Sequence, residues 1–235
     1  MRRRDFFVST AAYGLLAVSR GARAAVDDPS GTITRRINPL TPPDRGRIRV
    51  ACAISSGTTD IDYVGPEAVF ETWSVDPVTK KPAPRFEVFT VSESREPVDG
   101  RIADYTFDTA PPPHIAIVPA QRGSAALLDW LRKVSRTADV TMSVCVGARH
   151  LALAGLLNGK TATTHHGAID KFAKDFSQVQ WVRGVRFIEG EKISTGGGLT
   201  AGIDLALHVV ERYFGRAEAQ KVAEHLEYDG KGWIV

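Results

Sequence analysis

The sequence predicts an α/β domain built on a mostly parallel sheet with helices on both faces. Three observations point there. From Arg47 onward, short β-branched runs alternate with helix-like stretches, the signature of repeated strand–helix units. The first run, Ile48-Arg49-Val50-Ala51-Cys52-Ala53-Ile54, is apolar almost throughout rather than alternating, as strands buried on both sides are. Once an N-terminal segment is set aside, about 210 residues remain, enough for one domain with a sizeable core.

That N-terminal segment reads as an address rather than as fold. Arg2, Arg3 and Arg4 precede Asp5-Phe6-Phe7, an uncharged stretch from Val8 to Ser19, and Ala22-Arg23-Ala24, a small-residue cleavage pattern. The order resembles a twin-arginine export signal, with cleavage expected after Ala24 and delivery to the periplasm. The apolar stretch falls short of the roughly 20 residues that span a bilayer, although an uncleaved anchor is the alternative. No stable membrane association is expected after cleavage. Losing residues 1–24 removes five arginines against one aspartate, so the formal charge moves from +3 to −1. The basic balance belongs to the signal, and no nucleic-acid partner is expected.

Residues 25–46 are rich in Pro, Gly, Asp and Arg without a sustained period and are expected to form an extended arm or linker. The domain proper is expected over 47–228, with a short tail at 229–235. Strands are expected near 47–55, 85–92, 114–118, 138–144 and 160–164. Helices are expected near 65–74, 123–136, 147–157, 167–175, 200–214 and 216–226. Pro66 suits the first turn of its helix, Thr200 can cap its own, and Gly215 can stop it. The stretch from Ser94 to Pro113, with Asp99-Gly100 and three consecutive prolines, reads as a hairpin or excursion outside the main sheet. Cys52, inside the first apolar strand, is expected to be a buried free thiol.

Cys145 carries the functional signal. It stands in Ser143-Val144-Cys145-Val146-Gly147, between a β-branched run and the apolar stretch Ala148 to Leu157. A strand-to-helix turn of this kind is a nucleophile elbow, whose free N–H groups would favour a thiolate. A buried structural cysteine has the same local pattern. In an open α/β sheet, ligands bind beyond the carboxyl ends of the strands. The loop after the first strand, the loop after Ile115-Ala116-Ile117-Val118 and the elbow all arrive there.

Five motifs in order carry a resemblance: Thr59-Asp60-Ile61-Asp62-Tyr63-Val64-Gly65-Pro66-Glu67, the elbow, Ala154-Gly155-Leu156-Leu157, Ala162-Thr163-Thr164-His165, and the run from Thr195 to Asp204. Together they resemble the ThiJ/PfpI superfamily, and within it the branch of isocyanide hydratases and class I glutamine amidotransferase-like domains. The resemblance covers roughly residues 47–228. It implies a flavodoxin-like three-layer sandwich, a homodimer, a nucleophile at Cys145 and an acidic partner at Asp62. A first-turn helix acid is the other role open to Asp62, and Asp60 is the other candidate acid. The backbone N–H of Val146 is expected to donate to an oxyanion or carbonyl oxygen on the substrate, with a second donor from Ala120 or Gln121. These two replace the paired glycines the family often carries, and Val146 stands where hydrolase-like relatives place histidine and hydratases threonine. It supplies a backbone donor but no side-chain proton transfer.

His165 matches a family position and is a possible pocket residue. Adjacent His165 and His166 would point to opposite faces of a strand, so no metal is expected, and no cofactor. Gly196-Gly197-Gly198 lacks the lysine and spacing of a phosphate loop. These readings describe an exported cysteine enzyme that hydrates or hydrolyses a small electrophilic substrate through a covalent adduct on Cys145. The alternative is a thiol-based stress sensor, or a module that captures reactive carbonyls without turnover.

Overall fold

The computed structural model describes residues 38–72 and 85–234, together with the backbone of 26–27, 74–75 and 82–83. The export signal at 1–24, its cleavage site and most of the arm at 25–46 lie outside the described residues. In chain order the first half contains β1 (Val26–Asp27), β2 (Ile48–Ala53), α1 (Ile61–Glu71), β3 (Ser74–Val75), β4 (Pro82–Ala83), β5 (Phe86–Ser92), β6 (Tyr105–Thr106), β7 (Ile115–Val118) and α2 (Ala125–Thr137). The second half contains β8 (Val140–Ser143), α3 (Ala148–Leu153), β9 (Thr161–Ala162), α4 (Ile169–Asp175), β10 (Gln180–Arg183), β11 (Phe187–Ile188), β12 (Ile193–Gly196), α5 (Ala201–Phe214) and α6 (Arg216–His225).

Seven strands form the main sheet in the order β11-β12-β8-β7-β2-β5-β6, parallel except for the β11–β12 pair. The expected mostly parallel sheet is therefore present. Its register alternates cleanly about the centre. Val50 and Cys52 of β2 join α1, α5 and α6 in one apolar layer, whereas Ala51 and Ala53 join α2, α3 and α4 in the other. Successive side chains of a strand point to opposite faces, so a strand apolar on both must be covered on both. Cys52 is a buried free thiol, and burial holds its pKa well above the ordinary thiol range.

Several elements differ from expectation, each for a local reason. Helix α1 starts at Ile61 rather than near 65, which places Pro66 inside it. Proline has no N–H to give the carbonyl four residues back, here that of Asp62. The expected strand at 160–164 is cut to Thr161–Ala162 and pairs with β10, whose other edge pairs with β1, in a separate three-stranded sheet. Its last residues are drawn off instead: the Thr163 N–H donates to Thr195 Oγ1, and Thr164 Oγ1 donates to the Cys145 carbonyl. The excursion at 94–113 does make a tight turn, with Asp99 and Gly100 both at positive φ, yet it returns to add β6 to the sheet edge. Strands β10, β11 and β12 were not anticipated. Thr200 does not cap α5 with its side chain, and its hydroxyl instead accepts from Arg186 at 3.0 Å. Gly215 does end that helix, at φ 84°.

Polar contacts hold Asn38 to this core, and burial holds the segment around Trp233. Glu189, wholly buried, accepts from the backbone N–H of Asn38 at 2.7 Å and pairs with His208 at 2.7 Å, while Arg212 Nε donates to the Asn38 carbonyl at 2.8 Å. At the other end, Trp233 is fully buried and its indole donates to the Gly230 carbonyl.

Candidate active site

Four loops converge beyond the carboxyl ends of β2, β7, β8 and β12. Cys145 occupies the centre, in a 3₁₀ turn (Cys145–Gly147) between β8 and α3. Its φ of 57° is a left-handed conformation that costs a residue with a Cβ about 1–2 kcal/mol and is stored where surrounding structure overrides it. Here the overriding contacts are explicit. The Cys145 N–H donates to the Gly197 carbonyl at 2.6 Å, its carbonyl accepts from Thr164 Oγ1 at 2.8 Å, and the Val144 N–H donates to the Val118 carbonyl at 3.0 Å. Gly147 completes the elbow, since a Cβ there would stand 2.1 Å from the Val118 carbonyl oxygen. The sequence expectation of a strained turn at Cys145 thus has a definite geometry.

The Cys145 side chain is nearly buried, at 7% exposure. Backbone N–H groups of Val146 and Leu199 both reach the sulfur. They do not prevail: burial, then the charge of Asp62, push the thiol above its ordinary pKa. The expected stabilised thiolate is therefore not the resting form when Asp62 is ionised.

Asp62, in the first turn of α1, is fully buried. One carboxyl oxygen, Oδ2, accepts from the Ala120 N–H at 3.0 Å. The other, Oδ1, has no N–H or O–H partner, and the carboxyl stands against the Cys145 thiol, where each group perturbs the other's protonation. Burial raises Asp62 from 3.8 to about 6, against the pull of Ala120 and Cys145. A carboxyl poised near 6 can take the thiol proton at neutral pH and return it. Asp60, the other candidate acid, is exposed and paired with Arg101.

The remaining expected residues fall around this pair. The Ala120 N–H is committed to Asp62, so Ala120 is not an open donor for a substrate oxygen. The Gln121 side chain is held at the end of β2, with Nε2 donating to the Ala53 carbonyl at 2.9 Å. His165 packs against Gly198: its Nδ1 accepts from the Gly167 N–H, its ring lies 4.4 Å from that of His166, and it fills the space left by Gly198. Gly196 to Gly198 are thus packing glycines beside the elbow. Two residues escaped sequence reasoning. Leu199, at φ 48° and 42% exposed, brings a backbone donor to the sulfur. His150, buried on α3, binds the Gln121 carbonyl. A cavity of about 700 Å³ opens elsewhere, between α2 and the β11–β12 turn, and its lining includes none of these residues.

Known proteins resemble this chain in sequence and in fold. The sequence profile described as the DJ-1/PfpI family matches residues 48–212. An isonitrile hydratase from Pseudomonas putida is 35% identical over 136 residues, which cover 52% of this chain and 55% of that protein. The HTH-type transcriptional regulator CdhR from Pseudomonas aeruginosa is 37% identical over 106 residues, 45% of this chain and 31% of the regulator. The matches thus span about half and about a third of these two relatives. Among solved structures, a ThiJ/PfpI family protein from Pseudomonas syringae superposes with a TM-score of 0.66 at 26% identity, covering 79% of this chain and 77% of that one. Drosophila melanogaster DJ-1beta gives 0.63 at 16% identity over 79% and 100%, a likeness of fold.

Proposed function

The chain belongs to the DJ-1/PfpI family, and on that premise we propose that it is a cysteine-dependent enzyme that hydrates a small electrophilic carbon, with isonitriles as substrate class. The observation that carries the reading is the buried Asp62 carboxyl set against Cys145 on its strained turn. The likeness to an isonitrile hydratase supports the substrate. Asp62, ionised at neutral pH, takes the thiol proton as sulfur attacks the terminal carbon of R–N≡C. The carbon then receives that proton from Asp62, which leaves a thioimidate on Cys145. Water adds to the thioimidate carbon with Asp62 again as base, a proton passes to nitrogen, and the tetrahedral adduct expels sulfur to give the N-substituted formamide. One water is consumed and no oxidant is needed. Because Val146 offers no side-chain proton, Asp62 carries every transfer at the sulfur.

We further propose that the protein is exported by its twin-arginine segment and acts as a homodimer without a cofactor. The test is incubation of the purified protein with an alkyl isocyanide and chromatography of the formamide. Catalytic formamide production that is lost in Cys145→Ser supports the reading. One equivalent of substrate captured without product would instead favour the binding or sensing module, and undiminished production by Cys145→Ser would defeat both.

A further inference from the structure

The loop after β7 departs from the paired glycines of the resembled family, and Ala120 and Gln121 stand in their place. It must still place the Ala120 N–H on Asp62. Four contacts tie it to the β2 side: the Thr59 N–H to the Ala120 carbonyl at 2.8 Å, Gln121 Nε2 to the Ala53 carbonyl at 2.9 Å, the Arg122 N–H to the Ser56 carbonyl at 3.0 Å, and the Gly123 N–H to Ser55 Oγ at 2.9 Å. One contact comes from the elbow side. His150, five residues after Cys145 and 2% exposed, places Nε2 3.0 Å from the Gln121 carbonyl oxygen. A carbonyl only accepts, so Nε2 carries the proton.

We infer that His150 is a positioning residue: it ties the 120–123 loop to the helix that follows the Cys145 turn, and so holds the Ala120 N–H on Asp62. Two features mark it as more than core filling. Gly123, at φ 73°, makes room for the ring, since a Cβ there would stand 2.5 Å from His150 Cε1. Burial, with Arg149 beside it, pushes the imidazole pKa down against the pull of the Gln121 carbonyl, so at neutral pH the ring serves as a donor and not as a charge. The groups that face Asp62 are the Ala120 N–H from this loop and the Cys145 thiol from the elbow. Cutting the His150 tie lets the loop relax toward its four anchors on the β2 side. The N–H that favours the ionised carboxyl is then weakened.

This inference rests on the reading of Asp62 and Cys145 as a reacting pair. The test follows the Asp62 carboxyl by carbon-13 NMR across pH, with its resonance assigned by loss in Asp62→Asn, in wild type, His150→Leu and His150→Gln. The pair reading expects a wild-type midpoint near 6, and an ordinary aspartate midpoint in wild type would sink that reading by itself. Given a raised midpoint, His150→Leu is expected to raise it further by roughly 0.5–1 pH unit, the worth of a weakened hydrogen bond. His150→Gln, whose amide can reach the same carbonyl, is expected to restore it. An unmoved midpoint in a folded His150→Leu overturns the inference. Should His150→Leu fail to fold, His150→Gln and His150→Asn carry the comparison: Asn, too short to reach, must shift the midpoint where Gln does not, and equal midpoints overturn it.

Discussion

Replacing Asp62 by Asn is expected to stabilise the protein at neutral pH while disabling it. In the unfolded chain this carboxyl titrates near 3.8, and in the fold near 6. Between those values the folded chain holds a proton that the unfolded chain has released. Stability therefore falls as pH rises through that window and is level above it. The displacement amounts to at most about 3 kcal/mol, less whatever solvent at the mouth of the site screens, and its main cause is burial of the charge. Asn removes the charge and keeps an oxygen for the Ala120 N–H. Urea unfolding of both proteins at pH 4.5 and pH 8 measures the effect. Asp62→Asn should exceed wild type by about 1–3 kcal/mol at pH 8, with the gap shrinking at pH 4.5. A variant less stable than wild type at pH 8, or a gap that ignores pH, would refute the placement of Asp62 as a buried carboxyl.

The same variant separates chemistry from reactivity. Without the Asp62 charge the Cys145 thiol pKa drops, so iodoacetamide should label Asp62→Asn faster at pH 7.5, while formamide production falls by about 10²–10⁴-fold; slower labelling of the variant would contradict the Asp62 charge raising the thiol pKa, and undiminished formamide production would contradict its role as base. Wild-type turnover should climb as pH rises through about 6, the Asp62 value, and a flat acid limb would count against it. Gly147→Ala forces a Cβ to within 2.1 Å of the Val118 carbonyl and should cost roughly 1–3 kcal/mol or more in urea unfolding, with slower labelling of Cys145. Glu189→Ala strips the buried Arg212 and His208 of their anion and should cost about 3–5 kcal/mol, read by the same unfolding assay.

What the sequence disclosed, and what it withheld, follows from how far apart the interacting groups lie along the chain. The elbow was legible because strand, cysteine and glycine are contiguous, and the Ile48–Ile54 run announced a doubly covered strand by its lack of alternation. The start of α1 was misplaced because Pro66 looks like a first-turn proline, and no local pattern reveals that it sits six residues into a helix. Asp62 could be named from its motif, but its protonation depends on burial and on Ala120, 58 residues away. That same bond removes Ala120 from the donors that the motif suggested. Leu199 and His150 were missed because their roles are made by backbone approach: Leu199 comes from the end of β12 to the sulfur, and His150 reaches a carbonyl 29 residues upstream. Strands of two to four residues such as β10, β11 and β12 carry too few side chains to show a period.

The most direct test of the central claim is acid quench during turnover with an alkyl isocyanide, followed by peptide mass spectrometry. The peptide containing Cys145 should gain the mass of one intact substrate, as the thioimidate requires, and the adduct should disappear as formamide accumulates. Formamide produced while the Cys145 peptide stays unmodified, or an adduct carried on Cys52 instead, would contradict a nucleophilic Cys145 served by Asp62.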